Sequence, residues 1–278
     1  FSGAAAYDNI CETAFRRAEK IRERQRPMED RQFVTALQRG LSVLRAFSRK
    51  PGGLSNGELA RETKLAPSTI SRLVYTLREL GYITYDRTTR AYILTPQVLT
   101  LGYPVLSQAP LLHQVRPVLV QISEQTGETC GFAQRDGLYA TFLDCIQGRN
   151  MLAVRMEIGA RLPLATSASG LGLLKACNEA DRRVVVTRIR ANLARRRQPV
   201  AAFEQRLADA LAEPVVIARD TWHKGIGGIA VPVSNGTEIG VITVPVATST
   251  VSEKDMRGPL TAKLVALTAR HQLNRPVN

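Results

Sequence analysis

The stretch LSNGELARETKLAPSTISRLVYTLRELGYITYDRTTRAYIL, residues 54–94, decides the fold of the first part of the chain. Ser55 and Glu58 are spaced as in a capping box, in which each residue binds a free N–H at the start of a helix. Pro67 is favoured in the first turn of a helix and predicts that another helix begins there. We expect that helix to end at Gly81, because glycine readily terminates helices.

Two short runs rich in aromatic and β-branched residues follow, 82–85 and 91–94, and predict a β-hairpin with its turn over 86–90. Upstream, apolar residues recur at helical spacing over 33–48, and a Pro-Gly-Gly segment ends that helix. Three helices and a hairpin in this order are the layout of a winged helix-turn-helix, which we place at residues 33–96. A helix pair that contacts only protein, or a chance amphipathic pair, is the alternative.

The third predicted helix has an apolar face, where Ile70 and Leu73 share a small core with Leu59 and Leu65. Its other face carries hydroxyls, a guanidinium and a phenol, which bind phosphates and base edges in the major groove. Residues 33–96 hold ten Lys/Arg against four Asp/Glu, a net charge of +6 that favours DNA binding. The candidate DNA-binding residues, from the cap to the hairpin tip, are Ser55, Ser68, Thr69, Ser71, Arg72, Tyr75, Arg87 and Arg90.

The whole chain is basic and contains enough apolar residues for a packed core. Its 278 residues include 38 Lys+Arg and 24 Asp+Glu, a net charge of +14, and 44% are hydrophobic. This composition excludes wholesale disorder and a collagen-like chain, and it indicates a polyanionic partner. No apolar run approaches the roughly 18 residues of a membrane helix, and no secretory signal is evident. Four cysteines without CxxC spacing fit a reducing compartment. We therefore expect a cytoplasmic protein with no membrane partner.

The rest of the chain divides into three parts. Residues 1–32 carry mixed charges and predict a solvated arm or frayed helix, the alternative being a basic arm that touches the DNA backbone. Residues 97–111 predict a mostly apolar linker helix. Residues 112–278 predict a second domain in which helices accompany antiparallel hairpins, so the expected fold class is α+β.

In this second domain, hairpins are predicted over 130–146, around Asp136-Gly137, and over 229–246, around Asn235-Gly236. A further strand is predicted at 152–157. Helices are predicted at 115–126, 169–176, 179–190, 201–211 and 252–273.

Several tracts resemble a known family. ALQRGLSVLRAFS (36–48), LSNGELARETKLAPSTISRLVYTLRELGYI (54–83) and YILTPQVLTLGY (92–103) resemble the DNA-binding half of the IclR family of bacterial transcription regulators. GARLPLATSASGLGLLKA (159–176) and GIGGIAVPVSNGTEIGVITVPV (225–246) resemble its effector domain. LGYPVLSQAPL followed by TGETCGF is most similar to the branch that controls catabolism of aromatic acids such as protocatechuate or 4-hydroxybenzoate. Lys64 departs from the family pattern, which commonly has glycine in that turn.

The resemblance implies that the C-terminal domain is GAF-like, an antiparallel sheet with flanking helices that binds a small carboxylate effector. It places Ala168, Ser169 and Gly170 at a helix N-terminus, where backbone N–H groups bind anions. Apolar walls and polar partners of this pocket are expected from Cys130, Phe132, Arg155, Leu162, Asp220 and Trp222.

Three positions that carry polar side chains in the family's pocket fall here on Gly228, Thr243 and Pro245. Two of them have therefore lost the polar group. The resemblance then favours an effector that is larger or more apolar than a small 2-oxo acid, for example an aromatic acid.

The remaining cysteine and histidine residues indicate no chemistry of their own. The first hairpin could bring Cys130 and Cys145 face to face, and buried free thiols are favoured there over the alternatives of a redox pair or a metal site. The three histidines are far apart in sequence and lack zinc-site spacing, so no metal site is expected. Residues 195–197, three arginines, predict a solvated loop rather than a second DNA contact.

These features favour a sequence-specific DNA-binding regulator controlled by a small carboxylate, without cofactor or catalytic residues. Such proteins usually act as a homodimer, or here a homotetramer, on a palindromic double-stranded operator. One alternative is a cysteine-dependent enzyme with a DNA-binding appendage, which lacks a paired base and any G-x-S-x-G or phosphate-loop motif. The other is a non-specific architectural DNA-binding protein, which the large acid-containing C-terminal half disfavours.

Overall fold

The computed structural model describes residues 32–275 apart from 51 and 152, and only the backbone of 49, 274 and 275. The arm predicted at 1–32 lies, except for its last residue, outside the described residues. The described chain divides into two compact units, residues 32–108 and residues 109–275. Within the described part, no helix combines the length and the apolar character needed to cross a membrane.

The first unit contains the three helices and the hairpin that the sequence predicts. Its elements are helices α1 (Thr35–Ala46), α2 (Asn56–Thr63) and α3 (Pro67–Glu79), strands β1 (Ile83–Asp86) and β2 (Ala91–Leu94), and helix α4 (Leu99–Ser107). Short 3₁₀ turns at Phe47–Arg49 and Pro96–Val98 follow α1 and precede α4. The two strands pair antiparallel, with Ile83 opposite Leu94.

The capping box at the start of α2 is formed. The N–H of Ser55 donates to the Glu58 carboxylate over 2.8 Å, and the N–H of Glu58 donates to Ser55 Oγ over 3.3 Å. The Lys50 ammonium also donates to Glu58, and these bonds together lower the pKa of Glu58 to about 2. The carboxylate is therefore ionised, and the cap complete, at every physiological pH.

A small core holds these helices together. Leu59 and Ile70 are fully buried in it, and Leu65 and Leu73 pack against its edge, as predicted. The first half of α1 is different, because Leu37 is exposed to solvent. The apolar face of α1 therefore extends beyond the core of its own unit.

Lys64 ends α2 in the left-handed conformation, with φ of 57°. Its side chain is exposed, so Lys64→Gly removes the steric cost of the Cβ without loss of packing. We expect the free energy of unfolding, measured by urea denaturation, to rise by about 0.5–1 kcal/mol. Lys64→Ala keeps the Cβ and is the control. An equal gain in both variants would assign the effect to the lost charge instead of backbone strain.

The second unit is a seven-stranded sheet with helices packed against it. Its strands lie in the order β5-β4-β3-β8-β7-β6, with antiparallel neighbours, and β9 adds to β7 in parallel. The elements are α5 (Pro110–Thr126), β3 (Cys130–Asp136), β4 (Tyr139–Ile146), β5 (Arg161–Pro163), α6 (Ala168–Ala176), α7 (Glu179–Arg195), α8 (Val200–Ala212), β6 (Val216–Arg219), β7 (Ile226–Asn235), β8 (Ile239–Ala247), α9 (Thr261–Arg270) and β9 (Asn274–Arg275). This mixed architecture confirms the predicted α+β class.

Two predicted elements are wrong. The strand predicted at 152–157 is not formed, and residues 153–157 are an irregular loop. Val154 and Met156 are buried, while the residue after each is exposed. The alternation of apolar and polar residues that resembled a strand therefore comes from a loop that is buried on one side. The closing helix predicted at 252–273 is interrupted by a π-helical turn at Met256–Leu260, because Pro259 has no N–H to donate.

The two thiols of the first hairpin do not face each other, although the predicted hairpin could have brought them together. Cys130 lies opposite Ile146, and Cys145 lies opposite Gly131, so the two side chains point to opposite faces of the sheet. The Cys130 thiol donates to the carbonyl of Leu119 in α5 over 3.0 Å. Each cysteine therefore belongs to a different layer of the domain.

Candidate functional site

The outer face of α3 presents polar side chains to solvent. Ser68, Ser71, Arg72 and Tyr75 are exposed, and Thr69 is half-buried. The Ser71 hydroxyl donates to the carbonyl of its own helix at Pro67, which leaves its oxygen free to accept. Among the described residues, the Arg72 guanidinium has no hydrogen-bond or ion-pair partner.

The wing carries two exposed arginines, Arg87 and Arg90, in the turn between β1 and β2. Asp86 shapes this turn, since its carboxylate accepts from the Thr89 hydroxyl and the Thr88 N–H, both over 2.8 Å. These bonds lower the pKa of Asp86 below its ordinary value, the Thr89 bond most. The turn is therefore ordered by its own residues, and both guanidinium groups remain available for a partner.

Ser55 occupies a different position from the other DNA-binding candidates. Its hydroxyl donates to Glu58 over 2.8 Å and accepts the Glu58 N–H, so both functions are used by the cap. A contact of this hydroxyl with DNA stays a prediction, and any such contact would compete with the cap.

The second unit contains a cleft of about 690 Å³, counted together with the open space at its mouth. The cleft lies where the loop before β5, the start of α6, the residues after β6 and the ends of β7 and β8 meet. Its walls are mainly apolar: Val154, Met156, Ala160, Leu162, Ala168, Ala218, Trp222, Ile226, Gly227, Gly228 and Pro245. This mainly apolar lining with a few polar groups is typical of sites for small organic ligands.

Polar groups enter the cleft at the N-terminus of α6. Ser167 caps this helix by accepting the N–H of Gly170 over 3.0 Å. Within the described chain, the N–H groups of Ala168 and Ser169 have no acceptor. Thr243 Oγ1 donates to Ser169 Oγ over 3.1 Å, and this pair is 3% and 1% exposed. The Ser169 hydroxyl proton is therefore free to point elsewhere.

Three unpaired donors, two amides and one hydroxyl, thus converge at a helix N-terminus whose dipole favours an anion. Arg155 and Thr221 also line the cleft. Arg155 is exposed, while the Thr221 hydroxyl donates to the carbonyl of Thr166 over 2.7 Å. The arrangement can hold a carboxylate at the start of α6 and an apolar body along its walls.

The structure brings eight of the twelve predicted pocket residues to this cleft: Arg155, Leu162, Ala168, Ser169, Trp222, Gly228, Thr243 and Pro245. Their roles in binding stay predictions. It does not bring the other four there.

The four residues outside the cleft have other places. Cys130 faces α5, and Phe132 packs against Gly240. Gly170 lies against the backbone of Leu164, where a Cβ would come within 2.3 Å. Asp220 is held in a turn by the N–H of Gly225, over 2.6 Å. These four residues do not line the cleft in the described structure, and their part in effector binding stays a prediction.

Sequence reasoning missed part of the lining. Val154, Met156 and Ala218 were unassigned, and Ser167 was not recognised as the cap that orients the free amides. A serine three residues before a glycine-rich helical run is a detectable N-cap signal for Ser167. The others carry no such signal, because apolar residues of a loop or a short strand resemble ordinary core residues.

The buried thiols are not reactive groups. Burial is the main cause that raises the pKa of Cys130, to about 12, and it also raises the pKa of Cys177. A protonated thiol is a poor nucleophile, so neither residue supports cysteine-dependent catalysis. The described residues contain no group of three metal-ligating side chains.

A winged helix-turn-helix joined in one chain to a domain with a donor-lined cleft is the layout of a ligand-controlled DNA-binding regulator. Residues 36–87 match the IclR helix-turn-helix domain, and residues 103–271 match the bacterial transcriptional regulator IclR C-terminal domain. The chain belongs to the IclR family of transcriptional regulators, with an N-terminal DNA-binding domain and a C-terminal effector domain.

Known relatives agree with this assignment. The Pca regulon regulatory protein of Pseudomonas putida is 28% identical over 82% of this chain and 79% of its own length. An IclR family regulator from Brucella abortus is 30% identical, with a TM-score of 0.65 over 90% of this chain and 95% of that one. An IclR homologue from Microbacterium hydrocarbonoxydans, solved with 4-hydroxybenzoate, shares the fold at 20% identity, with a TM-score of 0.64 over 85% and 99% of the two chains.

The relatives are named as regulators, among them the transcriptional repressor IclR of Escherichia coli, and not as enzymes. The expectation that this chain is no enzyme is confirmed on that ground.

Proposed function

We propose that a small carboxylate, of the aromatic acid class, controls operator binding by this regulator from the cleft at the start of α6. The single observation that carries the proposal is that the Ala168 and Ser169 amides and the Ser169 hydroxyl lie together in the lining of an apolar cleft. Donors without acceptors in a buried place are costly unless water or a ligand satisfies them. A carboxylate is the common biological group that accepts several such bonds at once.

The walls of the cleft favour a ring over a short aliphatic chain. Trp222 packs with Val154 and Ile226 on one side and offers an aromatic surface. Gly228 and Pro245 lie opposite each other on β7 and β8 and add no polar side chain. The Pca regulon name of one relative and the 4-hydroxybenzoate bound to a protein of the same fold support the same class.

The DNA-binding face is proposed to be the outer side of α3 together with the wing. Hydroxyls and Arg72 on α3 would contact base edges and phosphates, and Arg87 and Arg90 would contact backbone beside them. The unit's positive charge provides the electrostatic part of the affinity.

The operator is proposed to be an inverted repeat bound by a homodimer, or by a tetramer built from such dimers. The linker helix α4 is the observation that favours a second copy. Its residues Leu99, Leu101, Tyr103 and Val105 are 71%, 55%, 67% and 59% exposed, and none of the helix is buried. A short apolar helix is unstable in water alone, so the same helix of another copy is its natural partner.

Two measurements test the proposed function together. Aromatic and short aliphatic carboxylates are compared by thermal shift, and a true effector at 100 times its Kd stabilises by about 2.7 kcal/mol. Duplexes selected from a random pool are then tested by gel shift. Affinity for the selected inverted repeat should exceed that for its scrambled form, and log K should fall about 0.9 per phosphate contact against log salt. Equal affinity for both duplexes would instead favour the architectural alternative.

A further inference from the structure

We propose that Glu238 couples the cleft to the linker. Its carboxylate joins the hairpin of β7 and β8, which reaches the cleft at its other end, to the first turn of α5, which follows the linker helix in the chain. This inference rests on the proposed function, because the carboxylate effector is what acts on the cleft.

The contact itself links two segments that are distant in sequence. The N–H of Leu111 donates to Glu238 Oε2 over 2.7 Å, across 127 positions of the chain. Leu111 is fully buried and Glu238 is half-buried. A charge-assisted bond in such a place is stronger than one in open solvent.

The start of α5 has no local substitute for this contact. Pro110 is its first residue and has no N–H, Ala109 offers no side-chain cap, and no acidic residue lies in the first turn. Leu111 is therefore the first donor of the helix, and a distant carboxylate takes the place of a cap. The negative charge also complements the positive end of the helix dipole.

The position of the Glu238 carboxylate follows the hairpin closely. Asn235 Oδ1 accepts the N–H groups of Thr237 and Glu238, over 3.1 and 2.8 Å. Asn235 Nδ2 also lies 3.4 Å from Glu238 Oε2, the oxygen that accepts from Leu111. The turn is thus fixed by its own side chains, and it carries the carboxylate with it when the strands move.

The other end of the same hairpin lines the cleft. Gly228, Thr243 and Pro245 lie there, and the antiparallel register continues without interruption to Ser234 opposite Ile239. The eight residues from Gly228 to Asn235 are separated by seven steps of about 3.3 Å and so span about 23 Å as a strand. An effector that moves these strand ends therefore displaces the turn, and Glu238 passes the movement to the residue that follows the linker.

The variants are Glu238→Ala, which removes the acceptor, and Glu238→Gln, which keeps an acceptor oxygen without the charge. Glu124→Gln, on the exposed side of α5, is the matched control for lost charge. Hydrogen exchange of the amides at 111–114 should be about five- to tenfold faster in Glu238→Ala, intermediate in Glu238→Gln and unchanged in Glu124→Gln. These exchange rates show whether Glu238 caps α5. They do not yet show whether the contact also transmits effector binding to the linker.

Coupling is measured first with 4-hydroxybenzoate as the probe. The ratio of the larger to the smaller operator affinity, measured with and without the probe, should lie between about 5 and 150 in the wild type and in Glu124→Gln. In Glu238→Ala this ratio should fall to about 1, while calorimetry shows that 4-hydroxybenzoate still binds. A partly restored ratio in Glu238→Gln would support the role of the acceptor oxygen. A wild-type ratio in Glu238→Ala would overturn the inference and leave Glu238 as a structural cap.

A second experiment uses no ligand. Its result therefore tests the role of Glu238 even if 4-hydroxybenzoate does not bind to this protein. Leu162→Trp places a side chain in the cleft from β5, outside the hairpin. It should change amide exchange at 111–114 in the wild-type background and leave it unchanged when combined with Glu238→Ala. The same change in both backgrounds, or none in either, overturns the inference. Absence of 4-hydroxybenzoate binding to the wild type would count against the proposed function alone.

Discussion

Arg72→Ala is expected to weaken binding to the selected operator by about 1–3 kcal/mol, roughly 5- to 150-fold. Arg72 lies on the exposed face of α3, opposite the buried residues Ile70 and Val74. Its guanidinium has no partner among the described residues, so its loss should leave the melting temperature unchanged. A contact with a base edge predicts that the loss is larger for the operator than for a scrambled duplex.

Arg87→Ala is the matched comparison, since it removes the same charge from the wing. It should weaken binding to both duplexes alike and reduce the slope of log K against log salt by about 1. If Arg72→Ala behaves like Arg87→Ala, α3 contacts phosphates and does not read bases through Arg72. Full operator affinity in Arg72→Ala would remove this residue from the DNA-binding surface.

Ser169→Ala is expected to weaken binding of 4-hydroxybenzoate by about ten- to hundredfold, the size of one hydrogen bond to a charged group. The variant removes the hydroxyl that points from α6 into the cleft, and isothermal titration calorimetry measures the effect. It also leaves the buried hydroxyl of Thr243 without its acceptor, so the melting temperature should fall somewhat.

Thr243→Val separates these two effects. It removes the other hydroxyl of the pair at nearly constant volume and leaves the three donors at the start of α6 in place. We expect a much smaller loss of affinity than in Ser169→Ala. Equal losses would show that the hydroxyl pair acts as a unit or that the carboxylate lies elsewhere in the cleft.

The DNA-binding half was predictable because its signals are local. The Ser55–Glu58 box, Pro67 and the aromatic strand pairs each determine structure within a few residues, and each is found as predicted. The wing turn adds Asp86, whose bonds to Thr88 and Thr89 are equally local. The outer face of α3 was also predictable from the helical period of its sequence. The apolar positions define the buried face, so the polar positions between them lie on the side that faces solvent.

The effector half was less predictable because its site is made by packing. Val154 and Met156 alternate with polar residues as in a strand, but they line a cleft from a loop. Strand β6 was not predicted, because Val216–Arg219 is short and is held as a strand by its pairing with β7. Glu238 has no local pattern at all, because its partner is 127 positions away. The resemblance to a family supplied the eight cleft residues that periodicity does not reveal.

The close approach of Gly228 to α6 has a consequence for anyone who wants to retune this regulator as a biosensor. A Cβ at position 228 would lie 3.1 Å from that of Ala168, on the helix whose amides form the anion site. Enlarging residue 228 therefore pushes on those amides as well as filling space. Pro245, on the facing strand, is the better position for new selectivity, and Ala168→Gly is the compensating change that makes room for a polar residue at 228.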